Sequence, residues 1–366
     1  MLRTALLLLG VVPTVLAAQA TQERRVILVT LDGVRTQEMF RGMDSIVAAS
    51  GEQGGVHDLD RLRRDYWRST PEERRRVLMP FLWDSLVPQG MILGDSARGS
   101  GVTITNRYGF SAPGYQEILT GKAQPDVTTN HPLRYSHETV LEYVQRRLHL
   151  GFEAVAAFTS WENFRYYVSS RPDAFFVNAG FDTLPTVLAT PPLRQLALLE
   201  TRALPMWEES RLDAFTGAMA MTYMARNHPR VVFISMNDTD DLAHSRRYDR
   251  VLDALHALDG FLGDLWHQLQ ASPDYRGRTS LILTTDHGRG RTPKDWSDHG
   301  EEVPGSPDIW LAVIGPDTPP AGDVTDQPGV HQADVAATLL ACLGLDVREW
   351  SVEAGPPIRG ACGVGR

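Results

Sequence analysis

The chain has 366 residues, enough for one large α/β domain with insertions or for two ordinary domains. At 42% hydrophobic and 22% charged residues it has the composition of a folded globular protein, without low-complexity tracts or internal repeats. A formal charge of −9 argues against nucleic acid or an anionic membrane as the partner, but not against a small anionic substrate held through bound cations.

The first twenty residues read as an export signal: Arg3 in a short basic region, an apolar run from Ala5 to Val15, and Ala18-Gln19-Ala20 as a cleavage site. The run is too short for a comfortable membrane span, and no cysteine follows it to carry a lipid. The expected mature chain, residues 21–366, is therefore periplasmic or secreted. Cys342 and Cys362 are the two cysteines, and an even count in an exported chain points to a bridge between them. The alternative is that Cys342, inside the apolar run Val335 to Leu345, is a buried thiol.

Arg25 to Leu31 is a nearly continuous apolar run ended by Asp32-Gly33, the pattern of a buried parallel strand. Val102 to Asn106, Ala154 to Phe158, Val231 to Ser235, Ser280 to Thr285 and Ile309 to Ile314 read the same way. Between them lie helical patterns: Thr139 to Leu148 with Ser136 as an N-cap candidate, Leu212 to Met224, and Arg246 to Leu269. The alternation predicts an α/β fold, a doubly wound, mostly parallel sheet with helices on both faces. Two helical insertions are expected, about 42–95 and 185–206, the first with a Thr70-Pro71-Glu72-Glu73 helix start. Each forms a wall of a substrate cleft or packs against the core.

Acidic and histidine residues collect at strand ends. Asp32 ends the first strand, Asp240 and His244 follow the Val231–Ser235 strand, Asp286 and His287 follow the next, and His331 precedes the last helix. In open α/β sheets, sites form beyond the carboxyl ends of the strands, and carboxylate with imidazole is a donor set suited to zinc. Singly, each has a plainer reading: Asp32-Gly33 as a turn, Asp240 as a helix-start carboxylate, His244 and His331 as surface histidines. Ser111-Ala112-Pro113 lies between a strand-like run and a helical one. There the Ser111 hydroxyl is either a nucleophile at a helix N-terminus or merely its cap.

Taken together, Leu31-Asp32-Gly33-Val34-Arg35, Ser111-Ala112-Pro113 with Leu119-Thr120-Gly121, Asp240-x-x-x-His244, Asp286-His287-Gly288 and His331 resemble the alkaline phosphatase superfamily. The likeness runs from about residue 25 to 345 and is nearest the nucleotide pyrophosphatase/phosphodiesterase branch. It implies two zinc ions, one on Asp240, His244 and His331, the other on Asp32, Asp286, His287 and the Ser111 oxygen. It further implies Ser111 as nucleophile, a phosphoserine intermediate, Asn130 holding a phosphoryl oxygen, and diesters or pyrophosphates as substrates. A phosphomonoesterase, a sulfatase-like hydrolase and a non-catalytic metal binder are the alternatives.

The diesterase branch usually has threonine at the Ser111 position. Sulfatases carry an arginine where this chain has Tyr115, a second aspartate where it has Leu31, and one calcium. An arginine for the phosphoryl group is not placed by the resemblance, leaving Arg107, Arg165 and Arg171 open. Trp161 and Phe164 are candidates to flank a substrate, or to pack in the core. His299 is a candidate to reach substrate or to support a ligand.

Overall fold

The computed structural model describes residues 23–185 and 188–365; the expected export signal lies outside the described residues. Eleven strands are formed among these: β1 (Arg25–Leu31), β2 (Gly90–Leu93), β3 (Val102–Thr103), β4 (Val155–Thr159), β5 (Phe176–Ala179), β6 (Val231–Met236), β7 (Thr279–Thr284), β8 (Asp308–Ile309), β9 (Leu311–Ile314), β10 (Gly322–Asp323) and β11 (Val330–His331). Eight of them make the main sheet in the order β10-β2-β9-β7-β1-β6-β4-β5. The sheet is mostly parallel, and β9 runs antiparallel to both β7 and β2.

The nearly continuous apolar character of β1 follows from its place at the centre, where every residue, Arg25 and Thr30 included, is buried. Its side chains alternate between two cores. Ile27, Val29 and Leu31 pack with the long helix Tyr248–Ala271 and with Asp213–Asn227, whereas Val26 and Leu28 pack with helices Ser111–Thr120, Val140–Arg147 and Asp334–Cys342. Burying each such side chain stabilises the fold by about 1.5–3 kcal/mol. Helices thus cover both faces of the sheet, as the alternation of patterns predicts.

Several local expectations shift. The helix over 140–147 is capped by Thr139, not Ser136; Thr139 accepts from the backbone of Glu142, whose side chain reaches back to the cap. The strand expected over 102–106 is only two residues long, because Thr105 and Asn106 give their backbone N–H groups to the Glu117 carboxylate instead of a ladder. The run Ile309 to Ile314 divides between two sheets, β8 joining β3 and β11 while β9 joins the main one. Gly90–Leu93, assigned to the first insertion, is a strand of the main sheet paired with β9. The rest of that segment is helical, including Leu59–Tyr66 and Pro71–Leu78, the latter with a full capping box at Thr70. In the second insertion, helix Pro191–Glu200 packs on Asp213–Asn227. Cys342 and Cys362 form a disulfide with Cα atoms 4.8 Å apart, tying the last helix to the tail.

Candidate metal centre and active site

Register brings the chemistry together. Thr30 of β1 lies level with Ser235 of β6 and Thr284 of β7, so the segments that follow all leave the same edge of the sheet. Asp32, Asp286 and His287 meet there, each fully buried, with ligand atoms within 4.8 Å of one another. His287 Nε2 is 3.5 Å from Asp32 Oδ1 and 3.5 Å from Asp286 Oδ2. None of these three atoms has a hydrogen-bond partner among the described residues. The other half of each group is anchored: Asp32 Oδ2 accepts from Tyr115 at 2.8 Å, Asp286 Oδ1 from the Gly33 backbone at 3.1 Å, and His287 Nδ1 donates to Gly288 O at 2.9 Å. That last bond puts the ring proton on Nδ1 and leaves the Nε2 lone pair free.

Two buried carboxylate oxygens and an imidazole nitrogen facing one another unpaired are costly unless a cation lies between them. Burial and then the Asp286 charge push Asp32 well above the usual carboxylate range, with the Tyr115 bond opposing. Burial likewise raises Asp286. The donor set fits a zinc-type ion.

A second group adjoins the first. Asp240, on helix Asp238–His244, has a ligand atom within 4.8 Å of those of His287 and His299. His244, one turn further along, places Nε2 at 3.2 Å from Asp240 Oδ2 and 3.0 Å from His299 Nε2. The His299 ring stacks on His287 with centroids 4.0 Å apart, and its Nδ1 donates to Gly109 O at 3.3 Å, so Nε2 faces the cluster. Burial lowers both imidazoles, for His299 with further lowering by the neighbouring His287. These rings are therefore neutral at physiological pH and able to bind a cation.

The grouping differs from the expected ligand sets at His331. That residue is paired in β11 opposite Thr103, whose hydroxyl shares a 3.0 Å hydrogen bond with its Nδ1, and its backbone N–H donates to Asp334. It belongs to neither group, and His299 occupies the neighbourhood in its place. The loop is folded back by Gly290 N–H donating to Asp298 O, a closure no sequence period announces.

Ser111 is the first residue of helix Ser111–Thr120; the cap is Phe110, and no side chain caps the helix. Its hydroxyl is thus not spent on capping. The helix start is held against the carboxylates at two points. Tyr115 reaches Asp32, and Gly114 packs so closely on Asp286 that a Cβ there would lie 2.4 Å from the Asp286 carbonyl. Asn130 accepts from the Ala112 backbone N–H at 2.9 Å and is itself held by Asn163 and Tyr167 through its carbonyl. Ser111, Asn130 and Asp240 line one cleft of about 320 Å³, together with Trp161, Trp207, Glu208, Glu209 and Asp241. A larger apolar groove of about 940 Å³, between helices Pro191–Glu200 and Asp213–Asn227, contains none of these groups.

Phe164 is not available to a substrate. It is fully buried, edge-on against Tyr115 at 4.4 Å and packed on Phe233, whereas its neighbour Trp161 reaches the cleft. Arg107, Arg165 and Arg171 pair with Glu301, Asp182 and Glu142, and none lines the cleft. The arginine at the centre is Arg289, directly after Asp286-His287-Gly288, a position no strand or helix pattern marks. It is buried, donates to Gly33 O and Ser297 O, and forms an ion pair with Asp240 Oδ1. Burial pushes its guanidinium down to about 10, which still leaves it charged. Gly33 has φ +63°, and a Cβ there would meet Arg289 at 2.7 Å and Asp240 at 2.9 Å, so only glycine fits between them.

Solved structures share this fold. The phosphonate monoester hydrolase SpPMH of Silicibacter pomeroyi is similar at 13% identity and TM-score 0.57, covering 94% of this chain and 78% of its own. The phosphonate monoester hydrolase of Agrobacterium radiobacter is similar at 14% identity and TM-score 0.54, with 94% and 78% covered. BT4656, solved with its substrate D-glucosamine-2-N,6-O-disulfate, is similar at 11% identity and TM-score 0.52, with 92% and 81% covered. Likeness at these identities speaks for the fold. The Type I phosphodiesterase / nucleotide pyrophosphatase family profile matches residues 61–318, and the chain belongs to that family. A comparison with curated sequences finds no match.

Proposed function

We propose that this chain is an exported, metal-dependent phosphoric diester hydrolase that uses Ser111 as its nucleophile. The observation that carries the reading is the unpaired buried set Asp32, Asp286 and His287 beneath the Ser111 helix, whose first hydroxyl is not engaged in capping. Asp32, Asp286 and His287 would hold one divalent ion, and Asp240, His244 and His299 a second, with His299 in the role first given to His331. Bound there, such ions supply positive charge to the phosphoryl oxygens and lower the serine hydroxyl's pKa.

The chain's own residues do the remainder. Ser111 Oγ forms a bond to phosphorus while the bond from phosphorus to one ester oxygen breaks, and the departing alkoxide takes up a proton. Water then cleaves the serine ester, releasing the phosphate monoester and restoring the hydroxyl with net retention at phosphorus. The helix N-terminus favours the negative charge that gathers at the phosphoryl group. Asn130, fixed by Ala112, Asn163 and Tyr167, is in position to orient a phosphoryl oxygen. A sulfatase-type nucleophile is disfavoured, since Tyr115 is committed to Asp32 where sulfatases have arginine. Export accords with the first twenty residues and with the disulfide, which persists in oxidising compartments. No helix among the described residues is long and apolar enough to cross a membrane.

The test is turnover of matched p-nitrophenyl phosphodiester, phosphomonoester and sulfate esters by zinc-loaded protein. The diester should lead, and both phosphates should exceed the sulfate by at least about 10³ in kcat/KM. A sulfate ester hydrolysed fastest would overturn the assignment.

A further inference from the structure

The cleft at Ser111 also bears on which diester is taken, an inference that rests on the reading just given. We propose that this cleft receives a cationic organic group, a quaternary or protonated amine carried on one ester arm of the phosphodiester, and disfavours an anionic arm.

Ser111 and Asp240 line the same space as Trp161, Trp207, Glu208 and Glu209, so an arm attached to the phosphoryl group enters among indoles and carboxylates. Among the described residues, no lysine or arginine lines it. Glu208 and Glu209 belong to neither group of candidate metal ligands, so bound ions would leave their charge available to a substrate. The wall is built rather than incidental. Trp161 Nε1 donates to Glu209 Oε2 at 3.1 Å, the Glu162 backbone N–H donates to Glu209 O, and Trp161 bridges Ser210. These bonds pin the segment 207–210 to the end of β4 and set a carboxylate beside an aromatic ring. That pairing recognises a weakly hydrated organic cation, by attraction to the ring face and by charge. An anionic arm would meet like charge there, with no guanidinium to offset it.

Three p-nitrophenyl phosphodiesters test this, with one leaving group and differing only in the second arm: choline, its neutral isostere 3,3-dimethylbutyl, and 2-carboxyethyl. With zinc-loaded protein, kcat/KM for the choline ester should exceed that for the isostere by at least about tenfold, equivalent to about 1.4 kcal/mol. The carboxyethyl ester should be the slowest. In Trp207→Ala, and in the double variant Glu208→Gln/Glu209→Gln, the ratio of choline ester to isostere should collapse toward one. Equal rates for choline and isostere in the parent, or a ratio unchanged in both variants, would overturn the proposal. Turnover of none of the three would instead sink the diesterase reading of Ser111, and this inference with it.

Discussion

Tyr115 donates its hydroxyl to Asp32 Oδ2 across 2.8 Å, from the second turn of the Ser111 helix to the end of the central strand. The bond joins the Ser111 helix to a candidate metal ligand, and it orients the carboxylate so that Oδ1 faces Asp286 and His287. In Tyr115→Phe the ring still fills its place against Phe164 but the orienting donor is gone. Zinc affinity should fall about 10–100-fold, with a stability loss of only about 1 kcal/mol. Titration against a competing chelator measures the first and thermal unfolding the second; unchanged affinity would reduce the bond to a packing detail.

Replacing Ser111 with alanine should lower kcat by at least about 10³ while leaving the melting temperature unaltered, since the hydroxyl caps nothing. Intact mass after acid quench should reveal a phosphorylated protein in the parent and none in Ser111→Ala. A variant of near-normal rate would rule out the nucleophile.

The two histidine candidates separate cleanly. His299→Ala should reduce bound zinc from two ions per chain to one, because it removes an imidazole stacked on His287 and bonded to His244. His331→Ala should leave the zinc content at two and cost about 1 kcal/mol of stability through the lost Thr103 bond. Elemental analysis of both variants decides, and the opposite pattern would return His331 to the ligand set.

Asp213 predicts a pH dependence of stability. Burial pushes its carboxyl from the ordinary 3.8 up to about 6, against hydrogen bonds from Ser160 and the backbone N–H groups of Asn237 and Asp238. Because the folded state then holds its proton to higher pH than the unfolded state, Asp213's contribution is greatest below about pH 4 and is lost as pH rises through about 6. Asp213→Asn cannot titrate, so the parent's melting temperature should fall relative to that of the variant between pH 4.5 and 7. Parallel profiles would contradict the shift.

The Cys342–Cys362 bridge closes a loop spanning 20 positions, worth about 3 kcal/mol on the chain-entropy account. Cys362→Ser should lower the melting temperature by about 4 °C, and the denatured, unreduced parent should give no free thiol. Two titratable thiols in protein made in an oxidising compartment would exclude the bridge.

What the sequence by itself determined is what depends on near neighbours. The nearly continuous apolar run from Arg25 to Leu31 marked β1 and so placed Asp32 at its end. Asp240 and His244 were legible as a pair because one helical turn separates them. Helix over 140–147 was legible too, but its cap was not: Ser136 and Thr139 both lie just ahead of it, and only the reciprocal bond with Glu142 distinguishes them. Tertiary structure alone decided the contacts between loops. His299 faces the cluster because its loop closes through Gly290 and Asp298, and His331 is held in the small sheet because β11 pairs with β3. Trp161 packs in the core yet reaches the cleft, whereas Phe164 lies wholly in the core, although only three positions separate them. Arg289 and Tyr115 act on Asp240 and Asp32, partners 49 and 83 positions away. Periodicity reports which face of an element is buried; it carries no information about which distant backbone closes over that face, and that closure decides which side chains meet in the cluster.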